Sequence, residues 1–179
     1  MTFLRVVGVC VGLFSLSAVA AENSLNLSPE ECAVWSREIS FAQSVDHHDA
    51  KAFAAHVQSG AVFNAASDAP IHGREDIVKS WAGIIAGKDI KLVWRPHYVS
   101  IGGNPNIALS RGPFMIENSA PGAKHRYLVG QFTSVWARTG AKAPWLVIFD
   151  GGGPPPTPVA SEAEAQSHVT STPDICPGG

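Results

Sequence analysis

The sequence predicts a single α+β domain in which three helices come first and four long strands follow. Up to about residue 86, apolar residues recur at the three- and four-residue spacing of amphipathic helices. From residue 89 onward, long stretches rich in β-branched and aromatic residues are separated by turns of glycine, proline and asparagine. A block of helices followed by consecutive strands is typical of an antiparallel sheet with helices packed on one face.

The first helix has the clearest start in the sequence. Ser28 is suited to the N-cap, Pro29 to the first helical position, and Glu31 completes a capping box three residues after the cap. Apolar residues then recur at helical spacing through about Asp46, at Trp35, Ile39, Ala42 and Val45. One face of this helix is therefore expected to be buried.

The next elements are marked by caps and by apolar spacing. Asp49 is expected to cap a short second helix over residues 50–57, which is followed by a strand at 61–64. Gly73 precedes a third helix with one apolar face, formed by Ile77, Trp81, Ile84 and Ile85. The remaining strands are predicted at 89–101, 106–117, 124–138 and 144–150.

Residues 1–20 read as a secretory signal peptide. Arg5 precedes an apolar run from Val6 to Leu16, and Ala18-Val19-Ala20 forms an A-x-A cleavage site. The alternative is a membrane anchor, but the run is shorter than the roughly 20 residues that cross a bilayer. The chain is therefore expected to be periplasmic or secreted, without a membrane attachment once the signal is cleaved.

The mature chain keeps two cysteines, Cys32 and Cys176, near its two ends. In an oxidising compartment a disulfide between them is the natural inference, although two free thiols or part of a metal site are the alternatives. Residues 28–151 are expected to form the domain. Residues 152–179 are rich in Gly and Pro and are expected to be a tail held only by Cys176.

The charge composition excludes one class of partner. The chain has 13 Lys plus Arg against 15 Asp plus Glu, and the basic residues form no stripe. Nucleic-acid binding is therefore not expected. The sequence also contains no Gly-rich phosphate loop and no nucleophile elbow, so no cofactor is predicted.

Several segments between residues 30 and 151 together resemble one superfamily. They are Ser44-Val45-Asp46-His47-His48-Asp49, Gly60-Ala61-Val62-Phe63, Pro70-Ile71-His72-Gly73-Arg74-Glu75-Asp76-Ile77 and Trp145-Leu146-Val147-Ile148-Phe149-Asp150. This order resembles the nuclear transport factor 2-like superfamily, in its SnoaL-like and ketosteroid-isomerase-like branch. The resemblance implies a cone-shaped, curved antiparallel sheet wrapped around three N-terminal helices, with a pocket between them. It also implies a homodimer formed through the convex sheet face.

The resemblance does not extend to the catalytic residues of the isomerases. The isomerase's carboxylate base would fall within 63–66, which reads Phe-Asn-Ala-Ala, and its tyrosine donor would fall near Ala42. Neither position has the required group. The catalytic residue is therefore unassigned, with His97 and Asp150 as the candidates for acid–base chemistry; the alternative for His97 is an exposed or hydrogen-bonded side chain.

The predicted ligand-binding residues combine polar groups with aromatic walls. They are Asn64, Arg111, Gln131, Trp81, Phe63 and Phe114. Arg111 could anchor a ligand carboxylate or form an ion pair with Asp150. The run Asp46-His47-His48-Asp49 resembles a metal site, but adjacent residues point in different directions, so helix capping is expected there and no metal.

Three functions remain open from the sequence. The first is an exported protein that binds a small, mostly apolar molecule in its cone pocket. The second is an isomerase, dehydratase or cyclase-type enzyme using His97 or Asp150. The third is a homodimeric interaction module, which would need an apolar patch on the outer sheet face.

Overall fold

The computed structural model describes residues 26–177. Within these residues, four helices and eight strands follow one another. In order they are α1 (Pro29–Asp46), α2 (Ala50–His56), β1 (Val57–Phe63), β2 (Ile71–His72), α3 (Arg74–Ile85), β3 (Ile90–Trp94), β4 (Tyr98–Ile101), β5 (Ile107–Asn118), β6 (Tyr127–Ala137), β7 (Leu146–Asp150), β8 (Thr157–Val159) and α4 (Glu162–Thr170). The predicted signal peptide lies outside the described residues.

The helix starts follow the local chemistry of the sequence. Ser28 and Glu31 form the capping box at the start of α1, and Asp49 accepts a hydrogen bond from the Ala52 N–H at the start of α2. Helix α3 begins after Gly73, whose φ of 85° lies in the left-handed region that favours glycine. The three predicted helices are therefore confirmed.

One curved sheet contains all eight strands. Its main order is β2-β1-β7-β6-β5-β3, with β4 also pairing β5 and β8 pairing β6. All pairs are antiparallel except β1 with β7, which run parallel. The predicted α+β fold with a curved sheet around the helices is confirmed, and the parallel pair is an addition to the predicted meander.

The strand predicted over 89–101 is two strands. The chain between them contains Pro96, which has no N–H to donate to a ladder and which restricts the residue before it. Strands β3 and β4 nevertheless pair with successive parts of the same strand, β5. The break divides the strand without changing the order of the sheet.

The core lies between the concave face of the sheet and α1, α2 and α3. Its centre is an aromatic cluster with ring centroids 5.0–6.4 Å apart, formed by Phe41, Phe53, Phe63, Trp81, Trp94 and Trp136. Such tilted and edge-to-face pairs add to the stabilisation from burying the rings. The cluster joins α1, α2 and α3 to the sheet.

The segment after Gly151 is more ordered than its composition suggested. It forms β8, which pairs with β6, and α4, which starts at the N-cap Ser161. Ala165 and Val169 of α4 pack against Met115 and Val129 on the convex face of the sheet. The expectation of a tail held only by Cys176 was therefore wrong, because a small apolar face on α4 covers part of the sheet.

The predicted disulfide is confirmed. Cys32 of α1 is bonded to Cys176, and the bridge joins residues 144 positions apart in sequence. An ion pair of 2.6 Å between Arg95 and Asp174 holds the same part of the chain near the break between β3 and β4. Within residues 26–177, no helix combines the length and apolar character needed to cross a bilayer.

Candidate functional site

A cavity of about 270 Å³ opens between the concave face of the sheet and helices α1 and α3. Most of its wall is apolar, and its polar residues are Asn64, Gln131 and Asp150. Gln131 lies between the cavity-facing Gly130 and Phe132, so its side chain points to the other face of the sheet. The apolar wall is formed by Phe41, Trp81, Leu92, Trp94, Phe114, Ile116 and Phe132. Concave, mostly apolar cavities with a few polar groups are typical of small-molecule sites.

Strand alternation places these side chains. Phe114 on β5 is paired in register with Gly130 on β6, and Phe132 lies two residues further along the same face. A side chain at position 130 would overlap the Phe114 ring. Glycine at position 130 therefore leaves the space that the Phe114 ring occupies at the cavity wall.

Asp150 supplies the carboxyl group of the cavity. It ends β7 and lies between Phe63 of β1 and Ser134 of β6 in the sheet register. The residue is half-buried, and no group in residues 26–177 donates a hydrogen bond to its carboxyl. Burial, reinforced by the negative charge of Glu38, raises the pKa of Asp150 to about 8.

A second carboxyl group lies behind the first. Glu38 is fully buried in the middle of α1 and accepts three hydrogen bonds, from Trp94 Nε1 at 2.8 Å, Ser134 Oγ at 2.6 Å and Trp136 Nε1 at 2.7 Å. Burial raises the pKa of Glu38, and these hydrogen bonds oppose the rise. All three donors are uncharged, and no basic side chain within residues 26–177 forms an ion pair with Glu38.

Glu38 is not among the site residues predicted from the sequence. Its position carries a signal, because it lies three residues after Trp35 and four before Ala42, on the face predicted to be buried. A charged residue on such a face is almost never fully buried unless it has partners. The helical spacing therefore indicates a buried Glu38, but it does not indicate which groups pair with it.

Ser110 adds a further polar atom to this region. Ser110, Ser134 and Asp150 are consecutive neighbours across β5, β6 and β7. The Ser110 hydroxyl is fully buried; it is near enough to Glu38 to favour its charged form, but it forms no hydrogen bond of normal geometry within residues 26–177. The concave face therefore has one polar row inside an otherwise apolar core.

Asn64 lies at the rim of the cavity. It directly follows β1 and has a φ of 53°, an uncommon conformation that asparagine tolerates better than most residues. Gly151, with a φ of 99°, packs against the Asn64 backbone, and the Ala65 N–H donates to the Asp150 carbonyl oxygen. These contacts hold Asn64 beside the end of β7.

The structure separates the residues predicted to bind a ligand. Asn64, Trp81, Phe114 and Gln131 border the cavity, as does the catalytic candidate Asp150. Phe63 is completely buried in the aromatic cluster and is not part of the cavity wall.

Arg111 and His97 lie away from the cavity. Arg111 is exposed, because its neighbours Ser110 and Gly112 are the residues that face inward on β5. It borders a separate surface depression with His97, Tyr98 and Gln131. An ion pair between Arg111 and Asp150 is not formed.

No site for a metal was found in the part of the chain that the structure describes. Residues 26–177 contain no group of three or more His, Cys, Asp or Glu side chains that could hold an ion. In the run at 46–49, Asp49 caps α2, while His48 Nδ1 lies 2.7 Å from the Ile85 carbonyl oxygen.

These features define a cone-shaped α+β protein with an open, mostly aromatic cavity and two neighbouring acidic residues. A ketosteroid isomerase-like protein from Erwinia carotovora atroseptica matches it with a TM-score of 0.56 and 12% identity, over 70% of this chain and 95% of that one. A scytalone dehydratase-like protein from Novosphingobium aromaticivorans gives 0.57 and 13%, over 73% and 87%. A protein of unknown function from Pseudomonas putida, described as NTF2-like, gives 0.54 and 16%, over 74% and 89%.

The chain therefore has the nuclear transport factor 2-like fold, in the form found in ketosteroid isomerase-like proteins. No protein-family sequence model and no curated protein sequence matches it significantly. At these identities the structural likeness establishes the fold, and fold alone does not specify function.

Proposed function

We propose that this is an exported protein that binds a small, mostly apolar molecule in its cone cavity, with Asp150 as the main polar contact. The observation that carries the proposal is the Asp150 carboxyl, which faces an aromatic cavity without a hydrogen-bond donor from residues 26–177. A half-buried carboxyl at the wall of an apolar cavity is the kind of polar group that orients a bound ligand. The disulfide supports export, because such bonds persist in oxidising compartments.

The size of the cavity indicates the size of the ligand. An engineered cavity of about 150 Å³ in another protein holds benzene. The cavity here, at about 270 Å³, has room for a two-ring aromatic molecule. The rings of Trp81, Phe114 and Phe132 offer faces and edges to such a molecule.

Filling the cavity is expected to abolish binding. We expect Leu92→Trp to weaken binding of naphthalene at least tenfold, because Leu92 lines the cavity and the larger ring would occupy it. Ile175→Trp is the matched control, since Ile175 is exposed and belongs neither to the cavity wall nor to the proposed dimer interface. Titration calorimetry on both variants and the wild type tests this. Equal affinities in all three proteins, or no binding to the wild type, would refute the proposal.

The second candidate is an enzyme of the isomerase, dehydratase or cyclase type. The observation that favours it is the pKa of about 8 at Asp150, because a carboxyl that titrates near neutral pH can both donate and accept a proton. A binding protein releases its ligand unchanged, whereas an enzyme converts it. Mass analysis of the ligand before and after prolonged incubation separates the two.

We also propose that two copies pair through the half of the convex face that α4 leaves open. Leu109, Val135 and Phe149 are consecutive neighbours across β5, β6 and β7, and Leu109 and Phe149 are exposed, as are the nearby Ile107 and Tyr98. Contiguous apolar patches of this kind often mark protein interfaces.

Introducing a charge into this patch is expected to give a monomer. Leu109→Glu would place a carboxylate in the proposed apolar interface, where burying an unpaired charge is unfavourable. Lys124→Glu, at an exposed loop position, is the control and should remain dimeric. Size-exclusion chromatography with light scattering measures the mass. A monomeric wild type at high concentration would contradict the proposed dimer.

A further inference from the structure

The convex face of the sheet has a polar band between the apolar patch at Leu109 and the area under helix α4. Along β5, Arg111 lies between Leu109 and Met115, and all three side chains point to the convex face. Tyr98 of β4 is in register with Arg111, and Gln131 of β6 points to the same side of the sheet. The polar band therefore faces away from the cone cavity.

A bulge between β3 and β4 brings His97 to the same band. Trp94 pairs with Phe114 of β5. Tyr98 pairs with Arg111, so the four steps from 94 to 98 lie opposite only three steps on β5, from 114 to 111. The His97 N–H donates to the Arg111 carbonyl oxygen at 2.8 Å, which holds the bulge against β5. Bulges re-aim side chains and are frequent beside functional sites. His97 and Tyr98, although consecutive, therefore border the same depression as Arg111.

Glycine at position 112 permits this bulge. A Cβ at Gly112 would overlap the Arg95 carbonyl oxygen and crowd the His97 backbone nitrogen. The backbone of the bulge therefore rests directly on β5. Beside it lies a depression of about 250 Å³, bordered by Gly112 and by four polar side chains, those of His97, Tyr98, Arg111 and Gln131. Backbone held by the sheet, rather than a long loop, fixes where these side chains lie.

Every side chain around the depression can donate a hydrogen bond. The four residues supply an imidazole, a phenol, a guanidinium and an amide, and no acidic residue borders the depression. The ion pairs formed within residues 26–177 use Arg95 and Arg126, so Arg111 has no acidic partner there. A guanidinium binds a carboxylate through two parallel N–H bonds. Its single fixed positive charge matches the charge of one carboxylate.

We propose that this depression is a second binding site, which takes the carboxylate of a small organic acid with Arg111 as its anchor. Tyr98, His97 and Gln131 flank the anchor and donate to the remaining carboxylate oxygen positions. The Tyr98 ring, which is 41% exposed, and the exposed Leu109 offer apolar contact to the body of the acid. An inorganic anion would leave this apolar surface unused. The site is independent of the cone cavity, because the two lie on opposite faces of the sheet.

The experiment titrates the protein at pH 7 with benzoate, and with benzyl alcohol as its uncharged counterpart, and follows backbone amide resonances by NMR. We expect benzoate to shift the amides of Tyr98, Arg111 and Gln131 in a saturable way, and benzyl alcohol to bind there at least about tenfold more weakly. Arg111→Gln should weaken benzoate binding by at least about tenfold, because it removes the charged hydrogen-bond fork. Arg126→Gln is the matched control, since Arg126 is exposed outside the depression, and it should bind like the wild type.

The outcomes separate this site from the cone cavity. In Leu92→Trp, whose cavity is filled, benzoate should still shift the amides of the depression. If benzoate shifts only residues of the cavity wall, and Leu92→Trp abolishes those shifts, the second site is wrong and the cavity function is supported. Equal affinity for benzoate in Arg111→Gln and Arg126→Gln, equal binding of benzyl alcohol, or no shift at all would each overturn the inference.

Discussion

Replacing Cys32 with serine is expected to lower the free energy of unfolding by about 2–5 kcal/mol. The bridge to Cys176 closes a loop of 144 residues. In the chain-entropy model, closing so long a loop removes denatured-state entropy equivalent to about 5 kcal/mol at 25 °C, and strain in the folded state reduces this value. Chemical denaturation of the wild type and the variant, without reductant, measures the difference.

The controls separate loss of the bridge from loss of a side chain. Cys176→Ser and the double variant should each lose about as much stability as Cys32→Ser, and reductant should destabilise only the wild type. Because α4 buries only two residues, Ala165 and Val169, we expect its amide hydrogens to exchange faster in the variants. Full stability of the double variant would show that the bridge contributes little to the fold.

The helix caps could be predicted because their chemistry is local. Ser28 and Glu31 interact within one turn, and Asp49 bonds to a backbone N–H three residues away. The break between β3 and β4 also has a local cause, Pro96. Residues 89–101 were predicted as one strand because they are rich in β-branched and aromatic residues. Pairing to one common strand explains why both halves look like a single strand in the sequence.

Helix α4 was not predicted, because the composition of residues 152–179 is typical of a disordered tail. Residues around α4 are rich in Pro, Gly, Ser and Glu, and the helix buries only Ala165 and Val169. Two small apolar residues give almost no periodic signal. The partners, Met115 and Val129, are on strands whose outer face could be recognised only after the register of the sheet was known.

Of the two acidic residues at the candidate site, one could be predicted from the sequence and the other could not. Asp150 could be named from the sequence, since it ends a strand, but its face could not be assigned. A register irregularity between Val135 and Trp136 shifts the pairing of β6 with β7, so simple alternation along β7 does not give its direction. Glu38 was missed because its three donors are 56 to 98 residues away in sequence and meet it only in the folded sheet.

Truncating Glu38 to alanine is expected to lower the free energy of unfolding by about 3–4 kcal/mol, because each buried donor left without an acceptor costs roughly 1–3 kcal/mol. The donors on Trp94, Ser134 and Trp136 would all lose their acceptor, and none of them is exposed enough to find water in its place. Part of this cost is offset, since a buried charge without a cationic partner is removed at the same time. Thermal and chemical unfolding at pH 7 measure the net effect.

Two further variants, Glu38→Gln and Glu30→Ala, show how much of this loss of stability comes from the buried hydrogen bonds. Glutamine keeps the shape and one acceptor oxygen, while its NH₂ group would face a donor, so we expect a smaller loss of about 1–2 kcal/mol. Glu30 is exposed in the first turn of the same helix, and its truncation should cost less than about 0.5 kcal/mol. If Glu38→Ala were as stable as Glu30→Ala, the three hydrogen bonds would contribute nothing to stability.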